Sequence, residues 1–108
     1  MVKVIIFTNR GILRGFSISG HAGSAAAGKD IVCAAVSSAA YLVANTITEV
    51  IGIKAQPKVD EATMCLKLTK EKSIKAQVIL KGFALHIKEL EKAHPKNIKV
   101  IYGGVKNA

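Results

Sequence analysis

Acidic side chains are scarce in this sequence: seven Asp and Glu stand against sixteen Lys and Arg, a formal charge of +9. Such an excess favours acidic surroundings such as nucleic acid or ribosomes, which concerns where a protein dwells rather than what it does. Aromatics are also few. Tryptophan is absent, and Phe7, Phe16, Phe83, Tyr41 and Tyr102 form no cluster along the sequence suited to stacking bases. The lysines are scattered as on an ordinary solvated surface, so a basic ribosome- or RNA-associated binding module without catalysis is the alternative reading and not the first. Only Cys33 and Cys65 carry thiols. With His21 they are three conceivable zinc ligands, but the paired spacings of structural zinc are missing, so neither metal nor other cofactor is expected. The most apolar run, Ile31 to Ala44, is about fourteen residues long and is broken by Ser37 and Ser38. That is short of the ~20 residues that cross a bilayer, so it reads as a buried core helix. Strand-like Val2-Lys3-Val4-Ile5-Ile6-Phe7 follows Met1 directly, with no signal-like pattern. The expectation is a cytoplasmic protein with no membrane contact.

What is present is periodicity. Half of the 108 residues are hydrophobic, enough for one core in a single domain spanning 1–108. Val2 to Thr8 is apolar on both faces, which predicts an inner strand, and Asn9-Arg10-Gly11 supplies a turn. Ile12 to Ser19 completes a hairpin, with Ile12, Arg14, Phe16 and Ile18 on one side and Leu13, Gly15, Ser17 and Ser19 on the other. A helix is predicted from Ile31 to about Ile51, stopped by Gly52. Ile53 to Val59 predicts an edge strand, because Pro57 cannot donate to a ladder. Asp60-Glu61 makes a turn, and Thr63 to Thr69 alternates again. From about Glu71 to Ala93 the residues Ala76, Ile79, Leu80, Phe83, Ile87 and Leu90 recur at helical spacing, up to Pro95. Ile98, Val100 and Tyr102 give a last strand. The fold class is therefore α+β: a single mixed or antiparallel sheet with two helices, in the order ββαββαβ. No internal repeat, linker or low-complexity segment interrupts it.

The chemistry concentrates between Ser19 and Ser37. Asp30 is a good N-cap, which puts Cys33 in the first turn of the long helix. There the unsatisfied amides and the positive end of the helix dipole favour an anion, as a thiolate nucleophile requires. His21 lies at the far end of the preceding loop, which is long enough to fold back onto the sulfur. A Cys–His pair suffices for nucleophilic catalysis. The amides of Val32 or Cys33 are candidates for holding the oxyanion. Ser37, one turn after Cys33, shares its face. Gly20, Gly23 and Gly28 give the loop the freedom to open and close over a peptide. Gly23-x-x-x-x-Gly28-Lys29 imitates a phosphate loop, but Asp30 stands where a hydroxyl should meet magnesium, which argues against nucleotide binding. Cys65, mid-strand beside Lys67, reads as an inert thiol. His86 and His94 read as solvated.

The joint pattern Gly20-His21-Ala22 followed by Gly28-x-Asp30-Ile31-Val32-Cys33-Ala34-Ala35-x-Ser37 resembles the ribosomal-processing cysteine proteases of the Prp family. The resemblance extends over essentially the whole chain. It implies that His21 and Cys33 are a catalytic dyad, with Ser37 associated with the site; Asp30, read first as the cap beside the thiol, is a supporting candidate from its position alone. It also implies a cytoplasmic homodimer whose substrate is the apolar N-terminal extension of large-subunit ribosomal protein twenty-seven; the basic surface would then help to hold the enzyme near ribosomes.

Overall fold

The computed structural model describes residues 1–20, 27–60 and 63–104, and of residues 27–30 only the backbone. Five strands form one mixed sheet: β1 (Val2–Asn9), β2 (Ile12–Ser19), β3 (Lys58–Val59), β4 (Thr63–Lys67) and β5 (Ile98–Gly104). Their spatial order is β3-β4-β2-β1-β5. The β1–β5 pair is parallel and the other pairs are antiparallel. The helices are α1 (Ala27–Asn45), α2 (Lys70–Lys75) and α3 (Gln77–Ala93), of which α2 and α3 together fill the place of the second predicted helix. The order is thus the ββαββαβ of an α+β fold, and β1 is an inner strand as its two apolar faces require.

Both long helices pack on one face of the sheet. Val4, Ile6, Phe16, Ile18, Met64, Leu66, Ile98 and Val100 turn inward from the strands to meet Val32, Val36, Ala40 and Val43 of α1 and Leu80, Phe83 and Ile87 of α3. Phe16 and Phe83 stack with centroids 4.6 Å apart. The other face carries Lys3, Ile5, Phe7, Ser17, Cys65 and Lys67, all partly or well exposed.

The hairpin turn is tight because Arg10 and Gly11 both take positive φ, 49° and 82°, as a two-residue turn matched to strand twist demands. Just beyond it the alternation predicted for Ile12 to Ser19 fails. Phe7 pairs with Gly15 but Thr8 pairs with Leu13, so Arg14 is an extra residue bulged out of the ladder. The bulge switches faces: Leu13 joins the core, and Arg14 is itself buried. Its Nε donates to the Leu68 carbonyl at 2.9 Å. Gln77 closes the same strand end, accepting from Leu13 N at 3.1 Å and donating to Leu13 O at 2.7 Å.

Three further boundaries differ from those the sequence predicts. The edge strand is only Lys58–Val59, because pairing starts after Pro57 and not at Ile53. The second helix is interrupted at Ala76 (φ −111°), where the Ser73 carbonyl takes both Ala76 N and Gln77 Nε2 and leaves no regular fifth-residue bond. The first helix continues past Asn45 as a wide turn, Thr46–Val50. There Thr46 and Thr48 hydroxyls bond the Leu42 and Ala44 carbonyls, competing with the amide ladder. Gly52, at φ +82°, ends it. With this continuation, Ile31–Val50 reaches 20 residues at mean hydropathy 1.6, enough to cross a bilayer by length and composition. Its inward stripe packs on the sheet instead, but only 33% of the window is buried, so it is a core helix on one side alone.

Candidate active site

The long helix begins at Ala27, four residues before the predicted start. Ala is the best helix former, and one Gly, at position 28, costs a helix only about 1 kcal/mol, so the Ala-rich segment joins the helix. Three expectations change. Asp30 is the fourth residue of α1 and not its N-cap. Gly28 is helical, so it is no loop hinge. Cys33 lies in the second turn, where the dipole's favourable field has already faded.

The oxyanion candidates change with them. Amides deeper than the first four of a helix bond its own carbonyls, so those of Val32 and Cys33 are committed to Gly28 and Lys29. Within the helix, the amides without an intrahelical acceptor are those of residues 27 to 29. Helical side chains lean toward the N-terminus, so the Cys33 side chain leans over the turn that carries those amides.

Cys33 is half-buried and packs against the core from the flank of α1. Ser37 is half-buried one turn later on the same flank. The thiol is supported by packed apolar residues yet still reachable from solvent, the placement a nucleophile needs. Gly20 closes β2 at φ +81°, and a Cβ there would collide with the Met1 carbonyl. Its glycine is therefore required by a fixed close approach, beside the first strand, and not by a hinge. His21 and Gly23 lie outside the described residues, as does the side chain of Asp30. Among the described residues no His, Cys, Asp and Glu gather into a metal-binding group. Cys65 stands on the opposite face of the sheet, beside Ser17 and Lys58 in register. His86 and His94 are exposed.

Several residues that hold the site's scaffold were not singled out from the sequence. Arg14 and Gln77 fix the end of β2. Glu91 of α3 accepts from Val100 N at 2.8 Å and pairs with Lys88 at 3.1 Å. The Val100 amide, and after it Lys88, hold the Glu91 carboxyl below its ordinary pKa. In the sequence each looks like a surface residue, and only the bulge and the β5 edge reveal its task.

The fold and the half-buried thiol define a class: a two-layer α+β protein with a partly accessible cysteine on the flank of its first helix. The family model of the cysteine protease Prp matches residues 1–99, and the chain belongs to that family. Solved structures agree. SMU.848 from Streptococcus mutans superposes with a TM-score of 0.86 at 28% identity, covering 97% of this chain and 96% of its own. The essential ribosomal processing protease Prp from S. aureus, in complex with a substrate peptide, gives 0.85 at 24% identity, covering 94% and 99%. The same protease with a covalently linked product peptide gives 0.82 at 25%, with the same coverage. Among the curated proteins, none matches this sequence. The chain is thus a member of the cysteine protease Prp family.

Proposed function

We propose that this protein is a cytoplasmic endopeptidase that removes the N-terminal extension of large-subunit ribosomal protein twenty-seven by means of a Cys33–His21 dyad. The observation that carries the reading is the family match over residues 1–99 together with a half-buried Cys33 at the motif position. The Cys33 thiolate attacks the scissile carbonyl. The first-turn amides of α1 hold the developing oxyanion, and His21 passes the thiol proton to the leaving amine. Water, deprotonated by His21, then releases the acyl group and returns the sulfur. The covalently linked product peptide described for the S. aureus protease is the kind of species such a nucleophile forms, and it supports the covalent route. With Cys33 in the second turn, activation of the sulfur falls mainly on His21 rather than on the dipole.

The extended ribosomal protein, followed by mass spectrometry, tests this reading. Cys33→Ala and His21→Ala should each leave the extension attached while keeping the wild-type circular dichroism, and Cys65→Ala should still cut. Cleavage by Cys33→Ala would overturn it.

A homodimer belongs to the same proposal. The outer face of α1 presents Ile31, Tyr41 and Leu42, with exposures of 68%, 46% and 64%, along with Ala34 and Ser38. No charge falls between Asp30 and Glu49. On a molecule of +9, a second copy meets least repulsion there.

A further inference from the structure

We infer that the open face of the sheet binds single-stranded nucleic acid. The basis is how the fold sorts charge. Among the described residues no Asp or Glu belongs to a strand: each lies in a helix or a connection. Lysines do lie on strands. Lys3 of β1, Lys99 of β5, Lys67 of β4 and Lys58 of β3 alternate with inward-facing neighbours, and all four are exposed on the face that the helices leave bare. Lys3 and Lys99 stand side by side in register and border a hollow of about 360 Å³. In the helical layer, by contrast, Lys88 and Lys92 are paired with Glu91 and Glu89. Among the described residues no strand lysine has such a carboxylate partner. Only Lys99 feels a carboxylate, that of Glu91 beside the Val100 amide, so the face is a patch of net positive charge, complementary to a polyanion.

One end of it is not merely basic. Phe7 lies on this face with Gly15 and Gly103 as its register partners on the two neighbouring strands. Side chains that would wall the ring are therefore missing on both sides, and a Cβ at position 103 would come within 3.1 Å of Ile5. A half-buried ring beside Lys67, with Lys3 and Lys99 four residues further along the same sheet face, offers the two elements that unpaired strands use: stacking for a base and cations for its phosphates. At rest Lys67 Nζ sits 4.8 Å above the Phe7 centroid. An incoming base would take that place and free the ammonium for a phosphate. A duplex, whose bases are already stacked, gains nothing from the ring. The sequence hides this surface, because the lysines are far apart along the chain and only strand register assembles them. The inference does not depend on the peptidase reading, since it concerns the face opposite the helices.

The test is fluorescence anisotropy of a labelled twelve-residue oligouridine against the full-length chain, over a series of salt concentrations. The chain should bind, with affinity falling as salt rises. Lys3→Gln/Lys58→Gln/Lys67→Gln/Lys99→Gln should lower the log–log salt slope by roughly 0.7 for each phosphate left without its lysine. Phe7→Leu should weaken binding by about fivefold or more while leaving the slope unchanged. Lys81→Gln/Lys88→Gln/Lys92→Gln, on the helical layer, should change little. Equal loss from the two lysine sets would overturn the inference, as would equal affinity for a duplex of the same length. So would absent oligouridine binding alongside retention on phosphatidylserine vesicles. Because Cys33→Ala leaves this face intact, its affinity should match wild type even if it no longer cleaves.

Discussion

Arg14 illustrates how a single side chain can be locked in place by an irregularity. Buried with its guanidinium on the Leu68 carbonyl, it ties the bulged end of β2 to the segment leading into α2. Replacing it with Met keeps the volume but strips the carbonyl of that donor. We expect Arg14→Met to lose about 1–3 kcal/mol in urea unfolding. Gly15, next to it, has φ +147°, and a Cβ there would run into the Leu66 carbonyl, so Gly15→Ala should unfold at lower urea still. Glu91 adds a pH signature. Its carboxyl titrates below the ordinary value of 4.5 when folded, so its stabilising effect is present above that value and fades as pH falls through the lowered folded value. The gap between wild type and Glu91→Gln in thermal melts should be open at pH 7 and close in acid. At this scale the sequence is legible for the exposed His86 and His94, and the half-buried place of Cys33 is compatible with the joint motif that marks it. It is mute about Arg14, whose strand pattern is broken by one inserted position that no alternation rule anticipates.

Elements were easier to read than their ends. The inner position of β1, the edge position of the strand after Pro57 and the apolar stripe of α3 all follow from pattern. The starts and stops depend on local competition instead. Ala27 and Gly28 are drawn into α1 by helix propensity, Ser73 surrenders its carbonyl to Ala76 and Gln77, and the Thr46 and Thr48 hydroxyls loosen the last turns of the first helix. The earlier start of α1 matters most for the site, because it moves Cys33 one turn inward and shifts the oxyanion reading to residues 27 to 29. The outer apolar stripe, untouched by that change, runs about 21 Å from Ile31 to Asn45 at 1.5 Å per residue. Leu42→Glu should place a charge within that stripe. In sedimentation velocity we expect that variant to be a monomer and the wild type a dimer, and equal masses would refute pairing through α1.

For the molecule as a whole, the two layers divide the labour. The helical layer holds the thiol, the buried core and the paired charges, while the bare sheet face gathers lysines that no strand carboxylate offsets. Net charge alone was visible in composition, but its distribution required strand register. Ribosome association, if it uses that face, should be salt-sensitive: the chain should leave isolated ribosomes as ionic strength rises, and the strand-lysine variant should leave them at lower salt than wild type.

The parallel pairing of β1 with β5 has a bearing on synthesis. Val2 to Thr8 meets Ile98 to Gly104, so the earliest strand to emerge is completed by the latest. Until then, one margin of an Ile- and Val-rich ribbon lies uncovered, the sort of template on which nascent chains stick to one another. Shortening the chain to end at Lys96 should therefore yield inclusion bodies rather than a smaller soluble protein, as the pelleted fraction after lysis would reveal.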